Sequence, residues 1–144
     1  MTIATRTAPA PFREIGAWEL DTLADLARAR AGLREQLEEG VLAGRPAVDV
    51  ERLVIAASEL ATNALRHGRK PARLRLLADA SGYLVDAVDH AADSPPSVAV
   101  GRDPGQGGFG LVLVQRLAQD VGSYVTGQDK HVWARFDASE RQAS

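Results

Sequence analysis

The ten residues ELATNALRHG, at positions 59–68, contain side chains that could perform chemistry. At about 100° per residue, Glu59, Asn63 and Arg66 fall on one stripe of a helix. His67 lies beside that stripe. A carboxamide oxygen is a suitable ligand for a Mg²⁺ ion whose other ligands are phosphates and waters. A carboxylate one turn away can accept a proton from a hydroxyl nucleophile.

An ordinary solvated helix face explains the same spacing, because charged and polar side chains three and four residues apart pair with one another. Taken alone, the pattern favours that simpler interpretation. An asparagine inside a helix is a mild liability, however, because its amide competes for backbone hydrogen bonds. The position of Asn63 between small apolar residues therefore calls for a reason.

A second candidate is the carboxylate of Asp89, at the end of an alternating stretch. Tyr83, Val85, Ala87 and Asp89 share one face of a predicted strand. If that face meets the helices, Asp89 lies at the mouth of the core and could accept a hydrogen bond from an exocyclic amine such as that of adenine. An aspartate that satisfies its own turn is an equally good explanation of the local pattern.

Glycines before an apolar helix form the third candidate, in the stretch GQGGFGL at 105–111. Glycine allows the backbone to approach a ligand closely, and the free N–H groups of a helix start attract phosphate oxygens. Glycine clusters are also common in flexible linkers. The Walker sequence is absent from the chain, and so is a dinucleotide-binding fingerprint placed between a first strand and a first helix.

Hydrophobic periodicity and turn residues predict the elements that would position these groups. Strands are expected at 13–20, 72–78, 83–89, 121–126 and 130–137, and helices at 23–40, 49–67 and 109–120, with a mobile loop at 90–108. The short turns predict antiparallel pairing in a mixed, mostly antiparallel sheet with helices on one face, an α+β two-layer sandwich. One domain is expected over 12–138, between a flexible tail at 1–11 and a second tail at 139–144. Trp18 and Trp133 could lie in the core or on the opposite sheet face.

Composition excludes several classes of protein. The 144 residues carry a net charge of -2 and no cysteine, which argues against direct nucleic-acid binding, disulfides and zinc ribbons. No apolar run approaches the ~20 residues of a membrane span, and positions 1–11 lack the apolar centre of a signal peptide. A cytoplasmic location is therefore expected.

In their order along the chain, the three candidates resemble the Bergerat-fold ATPases of the gyrase, histidine-kinase and MutL type. Residues 59–68 resemble the N box, Asp89 the start of the first glycine box, and residues 107–111 the second. The resemblance covers roughly residues 12–138. At this length, the chain is most similar to the stand-alone anti-sigma-factor serine kinases of actinobacteria.

The resemblance implies ATP and Mg²⁺ as cofactors, with a role for each matching residue. Asn63 would hold the metal, Glu59 would act as general base toward a serine hydroxyl, and Asp89 would bind the adenine amine. The other implied nucleotide-binding residues are His67, Ala91, Gly107, Gly108, Gly110 and Leu111. The implied partners are an anti-anti-sigma protein and a sigma factor, and a homodimer is possible.

One departure from the family pattern concerns the first glycine box, which here reads DHAADSP at 89–95. Ala91 replaces a smaller or more flexible residue, and Asp93 adds a negative charge. Weakened nucleotide binding is expected. Two functions therefore remain open: a serine kinase of an anti-anti-sigma protein, or a non-catalytic nucleotide-binding module that sequesters a sigma factor or another regulator.

Overall fold

The computed structural model describes residues 3–8, 12–92 and 109–138. Its elements are, in order, β1 (Arg13–Leu20), α1 (Leu23–Leu42), α2 (Val50–His67), β2 (Ala72–Asp79), β3 (Gly82–Asp89), α3 (Phe109–Leu117), β4 (Asp120–Thr126) and β5 (Asp129–Asp137). The five strands form one sheet in the order β1-β2-β3-β5-β4, and all neighbours pair antiparallel. The helices pack on one face of this sheet. The predicted α+β sandwich is confirmed.

The helix α2 has the boundaries that its capping residues predict. The side chain of Asp49 accepts a hydrogen bond from the backbone N–H of Arg52 at 3.2 Å, and Gly68 ends the helix. Its predicted apolar stripe is buried in the main core: Leu53, Ala56, Ala57, Leu60 and Ala64. Local sequence signals were sufficient to predict α2, because its capping residues and its apolar stripe indicate the same helix.

The helix α1 departs from its predicted end. Gly40 was expected to stop it, but the helix continues to Leu42. Gly40 is buried, and a Cβ at that position would come within 3.3 Å of the hydroxyl of Tyr83. This glycine therefore serves close packing and not helix termination. Leu23, at the start of α1, is 60% exposed.

The helix α3 is shorter than predicted and ends at Leu117. The backbone N–H of Gln119 donates to the carbonyl of Arg135 at 2.9 Å, and Asp120 already begins β4. The residues after Leu117, which helical periodicity had assigned to the last turn of the helix, instead form hydrogen bonds with the sheet.

The two faces of the sheet have different coverings. Tyr83, Val85 and Ala87 pack beneath the helices, as alternation predicted, and Trp18 contacts α1 on this side. Trp133 lies on the opposite face with Leu77 and Leu84. Its indole N–H donates to the carbonyl of Arg6 at 2.9 Å.

Residues 3–8, which we call the N-terminal strap, lie along the edge strand β4. Thr5 forms a parallel bridge with Ser123, whose N–H donates to the carbonyl of Ala4 at 2.9 Å. Ile3 is buried in the main core, whereas Ala8 packs beside Trp133. The composition of this segment suggested a loose tail, but its backbone hydrogen bonds join it to the sheet.

Candidate functional site

The helix α2 presents three of the predicted site residues on successive turns. Glu59, Asn63 and His67 are separated by four residues each, which spans roughly 12 Å at 1.5 Å per residue. Glu59 and Asn63 are partly buried, and His67 at the end of the helix is exposed. One side of α2 therefore carries a carboxylate, a carboxamide and an imidazole in a row.

The start of α3 lies directly against Glu59. A Cβ added to Gly110 would overlap the Oε2 atom of Glu59 and come within 3.4 Å of its Cβ. A side chain at position 110 would therefore displace the Glu59 carboxylate. The first turn of a helix carries unpaired N–H groups, so Glu59 lies beside backbone donors at the start of α3.

The end of β3 meets the end of α2 through Asp89. This carboxylate is 2% exposed, and its Oδ1 accepts a hydrogen bond from the N–H of Ala91 at 2.7 Å. A Cβ on Gly68 would overlap its Oδ2. The N–H of His90 also donates to the carbonyl of Arg69 at 2.8 Å, which joins the two chain segments.

A residue that sequence reasoning missed, Lys130, completes this end of the site. It lies opposite Asp89 in the register of β3 and β5, is 7% exposed, and places Nζ 3.7 Å from Oδ2 of Asp89. The signal was present in the alternation of β5, where Val132 and Ala134 share its core-facing side. A charged side chain on that side needs a buried partner.

The donor set suits a cation that arrives with an anionic ligand. Among the described residues there is no group of three or more His, Cys, Asp or Glu side chains that could hold a metal alone. Asn63 and Glu59 instead offer one amide oxygen and one carboxylate, a turn apart, beside the start of α3. Mg²⁺ is commonly bound by few protein oxygens together with phosphates and waters.

Residues 21–136 match the family model of the histidine kinase-like ATPase domain. The chain belongs to this family. The match extends from the residues before α1 to the end of β5, so it includes every element that positions the site.

A solved structure also resembles this family member: the crystal structure of the RsbU and RsbW domains of Rv1364c from Mycobacterium tuberculosis. The TM-score is 0.57 at 21% sequence identity, with 92% of this chain and 34% of that chain covered. At this identity the likeness supports the fold. This chain spans about a third of the other's length. A search of curated proteins gives no significant match.

The remaining residues that the sequence predicted for this site are either buried or outside the described part of the chain. The side chain of Leu111 is 2% exposed and belongs to the core, so only its backbone could face a ligand. Ala91 is also 2% exposed and contributes its N–H to Asp89. Gly107 and Gly108, with most of the predicted loop, lie outside the described residues.

A separate polar network occupies the opposite sheet face of this family member. Asp86 accepts hydrogen bonds at Oδ2 from Arg75 at 2.8 Å, and His131 Nδ1 lies at the same distance. The ring of Tyr124 stacks on His131 with centroids 4.3 Å apart. The alternation of β3 thus sends Asp86 and Asp89 to opposite faces.

No helix in the described part of the chain is long and apolar enough to cross a membrane.

Proposed function

We propose that this chain binds ATP with Mg²⁺ and transfers the γ-phosphoryl group to a serine of an anti-anti-sigma protein, as an anti-sigma-factor kinase of the actinobacterial type. The observation that carries the proposal is the placement of Glu59, a half-buried carboxylate against Gly110, one helical turn from Asn63. A module that only binds nucleotide has no need of a base at that position.

Three residues of the candidate site have a part in the proposed reaction. Bound Mg²⁺-ATP would supply the phosphoryl group and the charge neutralisation on which phosphoryl transfer depends. Asn63 offers its amide oxygen to the metal, and Asp89 accepts a hydrogen bond from the base. Glu59 would accept the proton of the serine hydroxyl as that oxygen bonds to the γ-phosphorus and ADP leaves.

The partner is inferred from the family resemblance and from the structural neighbour, which contains an RsbW domain. We propose that the chain binds an anti-anti-sigma domain as phosphoryl acceptor and a sigma factor in alternation with it. Phosphorylation of the acceptor would release it and leave the kinase available for the sigma factor. In this proposal the protein acts in the cytoplasm and does not contact nucleic acid directly.

The decisive experiment replaces the proposed base without changing its shape. Glu59→Gln should retain ATP affinity within about twofold, measured by calorimetry, because the amide is isosteric. Phosphoryl transfer to an anti-anti-sigma domain from the same organism should fall by about 10² to 10⁴, the usual contribution of a general base.

Glu38→Gln serves as the matched control, since Glu38 is exposed on α1, a helix that contributes no residue to the candidate site. It should leave both binding and transfer unchanged. Transfer by Glu59→Gln at the wild-type rate would contradict the assigned role.

A non-catalytic module is the second candidate, and the residue that favours it is Ala91. Its buried side chain occupies the position where the family has a smaller or more flexible residue. In this case Ala91→Gly would tighten ATP binding, while the wild-type chain would capture its partner under Mg²⁺-ATP without phosphorylating it. Phosphoserine formation on the partner decides for the kinase.

A further inference from the structure

Three side chains on the sheet face away from the helices form a chain of hydrogen bonds. Oγ1 of Thr126 lies 3.3 Å from Nε2 of His131, and Nδ1 of His131 lies 2.8 Å from Oδ2 of Asp86. Thr126 ends β4, His131 lies in β5 and Asp86 lies in β3. No local spacing in the sequence therefore indicates this group, which we call the far-face triad.

The partners of His131 determine which of its ring nitrogens carries the proton. The ionised carboxylate of Asp86 can only accept hydrogen bonds, and its Oδ2 also pairs with Arg75 at 2.8 Å. Nδ1 of His131 is therefore the donor, and in the neutral imidazole the lone pair on Nε2 faces the hydroxyl of Thr126. The ring of Tyr124 stacks on the imidazole with 6° between the two planes, which limits rotation of the imidazole.

This arrangement meets the requirements of an activated hydroxyl nucleophile. A base lies within hydrogen-bond reach of the hydroxyl, and a carboxylate orients the base. Thr126 is exposed, whereas the side chains of His131 and Asp86 are 7% and 1% exposed. A reagent in solution can thus reach the hydroxyl, while the base and the carboxylate are shielded from water.

The turn between β4 and β5 adds hydrogen-bond donors next to Thr126. The backbone N–H groups of Gly127 and Gln128 have no hydrogen-bond partner in the described part of the chain. When a hydroxyl attacks a carbonyl carbon, negative charge develops on the carbonyl oxygen, and N–H groups beside the nucleophile can stabilise that charge. Because Thr126 is open to solvent, this stabilisation is weaker than in a closed site, so the substrate must carry a good leaving group.

We propose that the far-face triad is a second reactive site, at which Thr126 takes an acyl group from an activated ester. Oγ1 bonds to the carbonyl carbon while its proton passes to Nε2 of His131. The bond to the leaving alcohol then breaks, and that alcohol takes the proton from Nε2. Water releases the acyl group from Thr126 by the same steps, so the net reaction is hydrolysis of the ester to a carboxylic acid and an alcohol. This inference does not rest on the proposed function, because the triad lies on the other face of the sheet.

The test uses para-nitrophenyl acetate as the probe on the full chain. Wild-type protein should release a burst of about one nitrophenolate per chain, the signature of a covalent acyl intermediate. Mass spectrometry should locate an acetyl group on Thr126. Hydroxylamine should remove it, because hydroxylamine cleaves an ester and not the amide that an acetylated lysine would form. Thr126→Val, which keeps the shape of an exposed side chain, should lose both the burst and the acetyl group, and Thr126→Ser should retain them.

His131→Gln should slow the acetylation of Thr126 by about 10² to 10⁴, the usual contribution of a general base. Thr7 provides the control hydroxyl, since it is also exposed and, within the residues that the structure describes, has no hydrogen bond to a histidine. Thr7→Val should therefore react like wild type. Thermal melting identifies a variant that does not fold, and if His131→Gln does not fold, the two Thr126 variants decide.

Three outcomes overturn the inference: no burst from wild-type protein, an acetyl group found only on other residues, or an equal burst from Thr126→Val. None of them bears on ATP binding or phosphoryl transfer, so the proposed function is tested separately.

Discussion

At the residue scale, two glycines of the site are explained by carboxylates and not by backbone flexibility. Gly68 makes room for Asp89, and Gly110 makes room for Glu59. The φ of Gly68 is -88°, which any residue can adopt, so the requirement is steric. Each of these two glycines therefore leaves space for an acidic side chain, in addition to any contact with phosphates.

Gly68→Ala should weaken ATP binding by about tenfold, because the added methyl group overlaps both the Asp89 carboxylate and the backbone carbonyl of Ala64. A tenfold change corresponds to about 1.4 kcal/mol. Calorimetry provides the measurement. Gly32→Ala is a matched control, since its Cβ would meet the indole of Trp18, away from the site. The control should lower the melting temperature and leave ATP affinity unchanged. Equal ATP affinity in Gly68→Ala and wild type would contradict the steric role.

The two aspartates of β3 show how strand alternation separates stability from binding. Asp86 pairs with Arg75 and His131 on the far face, and Asp89 faces the site. Asp86→Ala should reduce the free energy of unfolding by about 1–3 kcal/mol, because the buried ring of His131 loses its hydrogen-bond partner and Arg75 keeps only Glu14. Denaturant titration measures this change.

Asp89→Asn should abolish measurable ATP binding in calorimetry, whereas Asp86→Ala should leave the ATP affinity of the folded protein unchanged. Asp89→Asn should also lower the unfolding midpoint, because it weakens the buried ion pair with Lys130. Loss of binding in the folded fraction of Asp86→Ala would mean that the two faces of the strand are not independent.

At the element scale, the N-terminal strap protects an edge strand that would otherwise present unpaired backbone groups. Arg6 is the residue that anchors it. Its guanidinium forms an ion pair with Asp120, donates to the carbonyl of Val121 at 2.8 Å, and lies 5.3 Å from the ring centroid of Trp133. One side chain thus connects the strap to both β4 and the far face.

Removal of residues 1–8 should expose Trp133 to water. In a Trp18→Phe background the fluorescence maximum should shift to longer wavelength, and the free energy of unfolding should fall by about 1–3 kcal/mol, the value of burying a large apolar side chain. Thr7→Ala is the control, since Thr7 is exposed. An unchanged emission spectrum in the truncated protein would contradict the covering role of the strap.

The ion pair of the strap also predicts a pH dependence. The hydrogen bond from Arg6 lowers the pKa of Asp120 below its ordinary value of 3.8. The folded state therefore prefers the ionised carboxylate, and its stabilisation is present above pH 3.8 and disappears as the pH falls through the lowered pKa. Because Arg6 is 47% exposed, the contribution should be less than about 1 kcal/mol.

Urea titrations of wild type and Arg6→Gln should differ at pH 7 and converge in stronger acid. In an Asp120→Asn background the difference should lose its pH dependence. A difference that persists unchanged below the pKa of Asp120 would assign the effect of Arg6 to its contact with Trp133.

At the scale of the whole molecule, the sheet separates two differently built surfaces. The helix-covered face contains the main core and the candidate nucleotide site, and the other face contains Trp133, the strap and the Asp86 network. A ligand at the site would contact α2, β3 and the start of α3 together. Those elements are far apart in sequence, so binding there should stabilise the domain as a unit.

Much of this arrangement was predictable from the sequence because its causes are local. The cap at Asp49, the apolar stripe of α2 and the alternation of β3 each involve residues within one element, and periodicity reports them directly. The order of the three motifs likewise indicated the family that the family model confirms. Helix ends were less predictable, since Gly40 packs against Tyr83 and Asp120 pairs with β5.

Only the tertiary structure determined which distant residues meet. Lys130 lies beside Asp89 because of the register between β3 and β5, and the strap lies on β4 because its backbone found partners at that edge. The alternation of β5 places Lys130 on the core-facing side, but no local pattern identifies Asp89 as its partner or β4 as the partner of the strap, because long-range pairing depends on the combined packing of all the elements. The sequence by itself determined the elements and their candidate chemistry, and the fold decided which charges share a buried site.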